Sequence, residues 1–259
     1  MNEKTIRDVL RDLPMGSIRY YESTGSTNDV ALTWATDGAP DLSLVAADGQ
    51  TQGRGRGGNS WFTQPGSALA FSLVLRPRGE EISSIPLFSA LGALAVARTL
   101  EDVGLTPQIK WPNDILLKRR KVCGILAESA WLGESVDSVV MGIGINVNPN
   151  SIPPLEALGF PATSLESETH RRLDRLNLLR DILIALVAWR PRMGTVEFLR
   201  AWEERLAFRG ETVEVRVDGM PPRAGQVSGL ERDGGLRLLG LKGESFVVQF
   251  GEVHLRPVL

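Results

Sequence analysis

The segment from Gln50 to Trp61, QTQGRGRGGNSW, constrains the fold more than any other. Gly53, Gly55 and Gly58 satisfy G-x-G-x-x-G, the spacing with which a strand turns into a helix whose N-terminus receives a pyrophosphate. That reading requires a helix directly after the loop. Here the chain continues as FTQPGS and then as Ala68–Leu75, ALAFSLVL. Pro65 and Gly66 forbid the helix, and the apolar run reads as a strand. The loop therefore joins two strands, and the dinucleotide fold fails on context. What remains is a glycine backbone able to approach an anion and offer its N–H groups. Arg54 and Arg56 add guanidinium forks suited to phosphate oxygens or a carboxylate. A solvated loop is the bland alternative, and an RNA-binding Arg-Gly segment is another. Such segments are longer and terminal rather than pinned between strands. Trp61 suggests an anchored hinge or a ligand wall.

The flanking pattern is that of an α+β domain with hairpin-like strands and helices grouped apart. Residues 3 to 13 have helical spacing and stop at Pro14. A strand from Ile18 to Glu22 leads to a helix with Ser26 or Thr27 as N-cap and Val30, Ala31, Trp34 and Ala35 on one face. Strands follow at Leu42–Ala47 and Ala68–Leu75, and a helix lies between Ser84 and Val103, closed by Gly104. Next come Gln108–Trp111, a Pro-Asn-Asp turn, Ile115–Leu117, the basic turn Lys118–Lys121, and strands at Val122–Ala130 and Asp137–Val147. Residues 148 to 162 read as a surface connection. A second amphipathic helix carries Leu176, Leu179, Leu183, Leu186 and Val187, and beyond Pro191 a further helical stretch runs to about Phe208. After Gly210 short alternating runs between Gly and Asp turns predict a small β-barrel or sandwich. The expected division is residues 1–209 and 210–259.

Composition closes off other classes. The 259 residues are 42% hydrophobic and 23% charged, and 29 Lys plus Arg against 31 Asp plus Glu leave a formal charge of −2. A duplex-binding domain carries a basic surplus, and this chain has none. One cysteine, Cys123, rules out an internal disulfide framework and a cysteine-rich metal site. Without an apolar leader, or a run of about 18 apolar residues, secretion and membrane insertion are unsupported and a cytoplasmic protein is expected. His170 and His254, the two histidines, fall in peripheral segments, so histidine chemistry is not expected.

The second candidate region is Lys110-Trp111-Pro112-Asn113-Asp114. It is first of all a turn, yet Asn113 and Asp114 are short polar groups suited to an amine, a metal ion or a phosphate-bound water. Of the basic turn that follows, Lys118, Arg119 and Arg120 read as a solvated hairpin tip. Lys121 instead opens an apolar strand with Gly124 nearby. Cys123 is expected to pack rather than react, because no histidine or nucleophile elbow accompanies it. Ser67 and Ser72 likewise lack a G-x-S-x-G setting.

Taken in order, Ser26-Thr27-Asn28, the loop QTQGRGRGGNSW, KWPND at 110–114, Lys121-x-x-Gly124-Ile125-Leu126 and Gly142-x-Gly144-x-Asn146 resemble the biotin–protein ligase family. By motif the likeness covers about residues 18 to 149, and by architecture it reaches the C-terminus, because that family ends in a small SH3-like β domain. GRGR, then KWPND, then a lysine seven residues beyond its Asp, then GIGIN, is a specific combination.

The resemblance implies a mixed-sheet catalytic domain of the biotin/lipoate ligase type. It implies an enzyme that uses ATP and Mg2+ to activate biotin as biotinyl-5′-AMP and passes it to a lysine of a biotin carboxyl carrier protein of a carboxylase. Ser26, Thr27, Asn28 and Gln50 would bind biotin, the polar ureido ring being met by Ser26, Thr27 and Gln50. Gly53 and Arg54 would line and close that pocket. Arg56 would retain the intermediate beneath the loop, and Trp61 would pack near the adenylate. Lys121 would meet the biotin carboxylate and the α-phosphate, with Gly124 making room. Arg54, Arg56, Trp61, Asn113 and Asn146 would serve the nucleotide, and Asp114 its magnesium or the incoming amine. Lys121, Arg56 and Asp114 are thus the expected catalytic set.

This loop departs from the family's usual GRGRxGR. Asn59 stands where a third Arg is common and Gly57 where a bulky residue is frequent. About 17 residues precede the first core strand, so no DNA binding is expected, and a monomer or homodimer fits equally. The competing readings are a lipoate or octanoyl ligase of the same fold, a nucleic-acid module using the Arg-Gly loop, and a silent ligand sensor. The Ser26, Thr27 and Gln50 set argues for a ureido ring, which lipoate lacks.

Overall fold

A computed structural model describes residues 1–154, 159–217, 221–240, 242–249 and 253–257. Helix α1 (Glu3–Leu10) is opened by a capping box between Asn2 and Thr5. β1 (Ile18–Thr24) and β2 (Ser43–Gln50) run parallel, joined by α2 (Thr27–Thr36). β3 (Ala68–Leu75) returns antiparallel to β2. A 3-10 segment, Gly79–Leu87, then leads into α3 (Phe88–Asp102). The expected helix from Ser84 therefore starts later, because Pro86 lacks the N–H that an α-helical turn would use. β4 (Gln108–Lys110), β5 (Asp114–Leu117), β6 (Arg120–Leu132) and β7 (Ser135–Asn146) complete a seven-stranded mixed sheet in the order β1-β2-β3-β7-β6-β5-β4.

α4 (Leu165–Thr169), α5 (Arg175–Trp189) and α6 (Val196–Glu204) follow. The last is shorter than the pattern predicts. Phe208 is left-handed at φ 62, and residues 205–207 leave the helix so that the N–H of Ile109 reaches the Arg205 carbonyl and that of Ala207 the Ile109 carbonyl. β8 (Thr212–Val217), β9 (Arg223–Leu230), β10 (Leu236–Gly240), β11 (Ser245–Val248) and β12 (Val253–Pro257) form a second, five-stranded antiparallel sheet in the order β11-β10-β9-β8-β12. The fold is α+β.

Period-two alternation sorts the large sheet into two faces. Leu69, Phe71, Leu73 and Leu75 of β3, with Met141, Ile143 and Ile145 of β7, join the main core with α3 and α5. Val45, Val74 and Val140 point the other way and pack on Ala31, Trp34 and Ala35 of α2. The segment Gly79–Asp102 is long and apolar enough, by length and composition, to cross a bilayer. Its α-helical part lies between the sheet and α5, a core position that requires apolar residues all round.

Candidate active site

Helix α2 covers only part of its face of the sheet. Beyond it, the positions in register with Val74 and Val140 are Ser72 on β3 and Gly142, Gly144 and Asn146 on β7. The loop of residues 51–67 crosses the strip that α2 leaves uncovered. A side-chain carbon at Gly144 would collide with the indole of Trp61, and one at Gly142 would collide with the amide of Asn28. The glycines of GIGIN therefore let Trp61 and Asn28 lie directly on the sheet.

Lys121 reaches the same strip through an irregularity. Strict alternation would put Lys121 on the face of Cys123 and Ile125, which are core residues. The β5–β6 ladder shifts register between Ile115 and Leu116, pairing Ile115 with Cys123 but Leu116 with Lys121. This bulge turns Lys121 towards the cleft, where its Cε and Nζ lie 3.3 Å from the point a side chain on Gly124 would occupy. Two backbone bonds hold it there, the Lys121 N–H to the Pro161 carbonyl at 2.7 Å and the Thr163 N–H to the Lys121 carbonyl at 2.9 Å. The connection after β7 thus comes back to the site.

The cleft has two chambers. The outer one, about 300 Å³, lies among Lys110, Asp114, Asn146 and Phe160. The inner one, about 40 Å³, lies among Ser26, Thr27, Asn28, Gln50, Arg54 and Gly124. Gly55, Arg56, Trp61, Asn113 and Lys121 border both. Gly53 lines neither; its carbonyl accepts the Trp61 N–H at 2.8 Å and sets the hinge of the loop.

Inner-chamber polar groups form one connected network. Ser26 is the N-cap of α2, but its buried hydroxyl makes no capping bond. Gln50 Oε1 accepts from the Thr27 N–H at 2.8 Å and from the Thr27 hydroxyl at 3.1 Å, while Gln50 Nε2 donates to Thr63. Ser72 Oγ lies 2.8 Å from Thr27 Oγ1 and 2.6 Å from Asn28 Oδ1. Asn28 Nδ2 donates to the Leu126 carbonyl and, at 2.8 Å, to Glu128. Glu128 also takes both terminal nitrogens of Arg54, at 2.8 and 2.7 Å. Arg54 meets Asp29 at 2.8 Å as well. The hydrogen bonds to Glu128 chiefly, and the Glu128 and Asp29 charges, outweigh its partial burial and raise its pKa.

Ser72, Glu128, Thr63 and Asp29 are members sequence reasoning missed. Ser72 carried a signal, since a serine inside ALAFSLVL is a buried hydroxyl that must find a partner. Glu128 carried none, because its partners lie 74 and 100 residues away.

In the outer chamber Asn113 Nδ2 donates to the Ile125 carbonyl at 2.6 Å, and its Oδ1 receives Arg56 at 3.4 Å. Asn146 is pinned to the Thr163 carbonyl. Asp114 Oδ1 is 2.6 Å from Lys121 Nζ, and Oδ2 is 3.6 Å from Lys110 Nζ. Burial alone would raise the Asp114 carboxyl, but the two ammonium groups more than offset it and hold it below the usual carboxylate range. A carboxylate so held is a poor proton acceptor. It positions Lys121. Nor does it offer a preformed magnesium cage, since both oxygens face lysines and no three His, Cys, Asp or Glu side chains converge among the described residues.

Burial pushes the Cys123 thiol strongly upward, and the residue sits in the core with no role as a nucleophile. The hairpin tip is solvated, as expected for Lys118, Arg119 and Arg120, but its charges are also paired. Lys118 and Arg120 converge on Glu168, and Arg119 pairs with Glu211. The tip ties β5 and β6 to α4 and to the start of the second sheet. Loop departures have a structural consequence too. Gly57 and Gly58 are left-handed, at φ 59 and 73, and Asn59 Nδ2 donates to the Arg56 carbonyl at 2.6 Å.

Residues 20–146 match the model of the biotin/lipoate A/B protein ligase family. The chain is 34% identical over 232 residues to a biotin–[acetyl-CoA-carboxylase] ligase of Paracoccus denitrificans, covering 86% of this chain and 95% of that protein. It is 39% identical over 188 residues to the bifunctional ligase/repressor BirA of Bacillus subtilis, covering 71% of this chain but 57% of that longer protein. Its backbone is similar to that of the Aquifex aeolicus biotin protein ligase in complex with biotin and ATP, with a TM-score of 0.79, 31% identity, and coverage of 93% and 99% of the two chains.

Proposed function

The chain belongs to the biotin/lipoate A/B protein ligase family, and we propose that it activates biotin with ATP and transfers it to a lysine of a biotin carboxyl carrier domain of a carboxylase. The observation that carries this reading is that the cations Arg56 and Lys121 border both chambers of the cleft. A carboxylic acid lying in the inner chamber and a nucleotide in the outer one would bring their anionic ends together at these two residues. Carboxylate attack on the α-phosphorus joins two anions, so its transition state needs positive charge at that point.

In the first step a biotin carboxylate oxygen bonds to the α-phosphorus and pyrophosphate leaves, giving biotinyl-5′-AMP. The Lys121 ammonium, held by Asp114, neutralises the carboxylate and the α-phosphate, and Arg56, in contact with Asn113, adds a second cation. In the second step the acceptor amine, entering as the free base, bonds to the acyl carbon, AMP leaves with the bonding pair, and the proton the nitrogen then carries passes to the leaving phosphate or to solvent. Asp114 orients that amine and does not take its proton. The mixed anhydride is destroyed by water, so the loop acts as its cover. Inner-chamber recognition falls to Ser26, Thr27 and Asn28, with Gln50 holding Thr27 in place. Arg54 belongs with the inner chamber rather than the nucleotide. Magnesium would arrive with the nucleotide and would supply further positive charge at its phosphates. We assign residues 1–209 to catalysis and 210–259 to an accessory β unit that braces the nucleotide side.

The test is incubation with ATP, magnesium and biotin. Pyrophosphate release and retained biotinyl-AMP are expected, followed by labelling of a carrier domain. Turnover with lipoate but not biotin would move the substrate to the other branch of the family, and none with either would leave a ligand sensor.

A further inference from the structure

The inner chamber, at about 40 Å³, holds a water or two but no bicyclic acid. Trp61 occupies the space between Gly144 and Gly124, with its ring 3.2 Å from the point a Gly124 side chain would reach and its buried indole nitrogen without a hydrogen-bond partner. A ligand therefore enters only when the loop carrying Trp61 lifts. The question is what holds the loop down. Arg54 bridges to Ser60 across the base of the loop, so its position sets that of the segment between. Its guanidinium spans two carboxylates from different elements, Glu128 on β6 at 2.7 Å and Asp29 on α2 at 2.8 Å. Glu128 is itself aimed by Asn28, whose other contacts run through Ser72 to Thr27.

We propose that Glu128, assisted by Asp29, is a positioning residue that clasps Arg54 and so sets how often the loop opens over the inner chamber. The clasp joins the loop to the same residues that line the chamber. Opening the loop and loosening Asn28 are then one event. As regards biotin, the proposal rests on the function given above; as regards loop opening, it does not.

The test uses the full chain and the variants Glu128→Gln, Asp29→Asn, Arg54→Ala and Glu128→Gln/Arg54→Ala. Without ligand, tryptic cleavage after Arg56 should be about threefold to tenfold faster in Glu128→Gln, as expected for a partly exposed charge network that controls a local opening, with an unchanged melting temperature. Asp29→Asn should show a smaller increase of the same kind. In the Arg54→Ala background, Glu128→Gln should add nothing, because its effect passes through Arg54. Unchanged cleavage in both single charge variants overturns the clasp. So does an equal acceleration in the Arg54→Ala background, which would make Glu128 a general structural residue. In a second arm, biotin loaded on the protein should dissociate faster from Glu128→Gln by the same factor. Faster cleavage without any biotin binding, in wild type or variant, keeps the clasp and overturns the biotin reading instead.

Discussion

Lys121 Nζ stands 2.6 Å from Asp114 Oδ1, the lysine bordering both chambers and the carboxylate lining the outer one. A β-bulge turned the lysine to the cleft, and the carboxylate keeps it there. Replacing Lys121 by Ala removes the cation shared by carboxylate and α-phosphate. Adenylate formation should fall by at least about 10²- to 10³-fold, the cost of losing one preorganised charge partner at a reacting centre. Pyrophosphate release in single turnover measures this. A variant with more than a tenth of wild-type rate would remove Lys121 from the chemistry.

The same contact fixes where Asp114 responds to pH. The folded Asp114 carboxyl lies below its unfolded value of about 3.9, so its contribution to stability is complete above that value and is lost as pH falls through the folded value beneath it. Between pH 5 and 9 Asp114 should therefore contribute no slope to stability or to adenylate formation. Comparing the denaturant midpoint of wild type and Asp114→Asn across that range checks this. A difference that changes with pH near 6 would show an Asp114 that titrates there and can act as a base.

Arg56 contacts Asn113 from within the loop and borders both chambers. Arg56→Gly should still form adenylate but release it, labelling amines on unrelated proteins. Mass spectrometry of a bystander protein reads this directly. Retention equal to wild type would mean that the cover is held by other residues.

Trp111 donates its indole N–H to the Gly234 carbonyl at 2.9 Å, joining KWPND to a turn of the second sheet. Trp111→Phe keeps most of the ring but leaves that carbonyl unpaired, at a cost of about 1–3 kcal/mol. The KM for ATP should rise while that for biotin stays near wild type, since only the outer chamber includes Trp111. Equal rises in both would argue for general destabilisation.

Gly144→Ala places a methyl group against the Trp61 indole. The ring cannot stay where it is, and overpacking of this kind costs about 1–3 kcal/mol. Tryptophan fluorescence should shift and the KM values for both substrates should rise. An unaltered emission spectrum would mean that the ring does not rest on β7.

Much of this site was legible because it depends on local rules. Pro65 and Gly66 exclude a helix after the glycine loop whatever the rest of the chain does, and alternation in MGIGIN puts Met141, Ile143 and Ile145 on one face and Gly142, Gly144 and Asn146 on the other. Change of pattern after Gly210 likewise announced a second β unit. The side chains that complete the site were not legible. Lys121 faces the cleft only because of a bulge opposite Ile115 and Leu116, and alternation by itself would bury it with Cys123. Ser72 meets Asn28 from 44 residues away, and Glu128 meets it from 100. Lys118 and Arg120 are solvated as read, but the partner they share, Glu168, lies about 50 residues away and could not be read. Backbone preference and periodicity act over a few residues and can be read along the chain. Charge pairing and close approach depend on distance in space, and only the folded sheet brought those groups within reach.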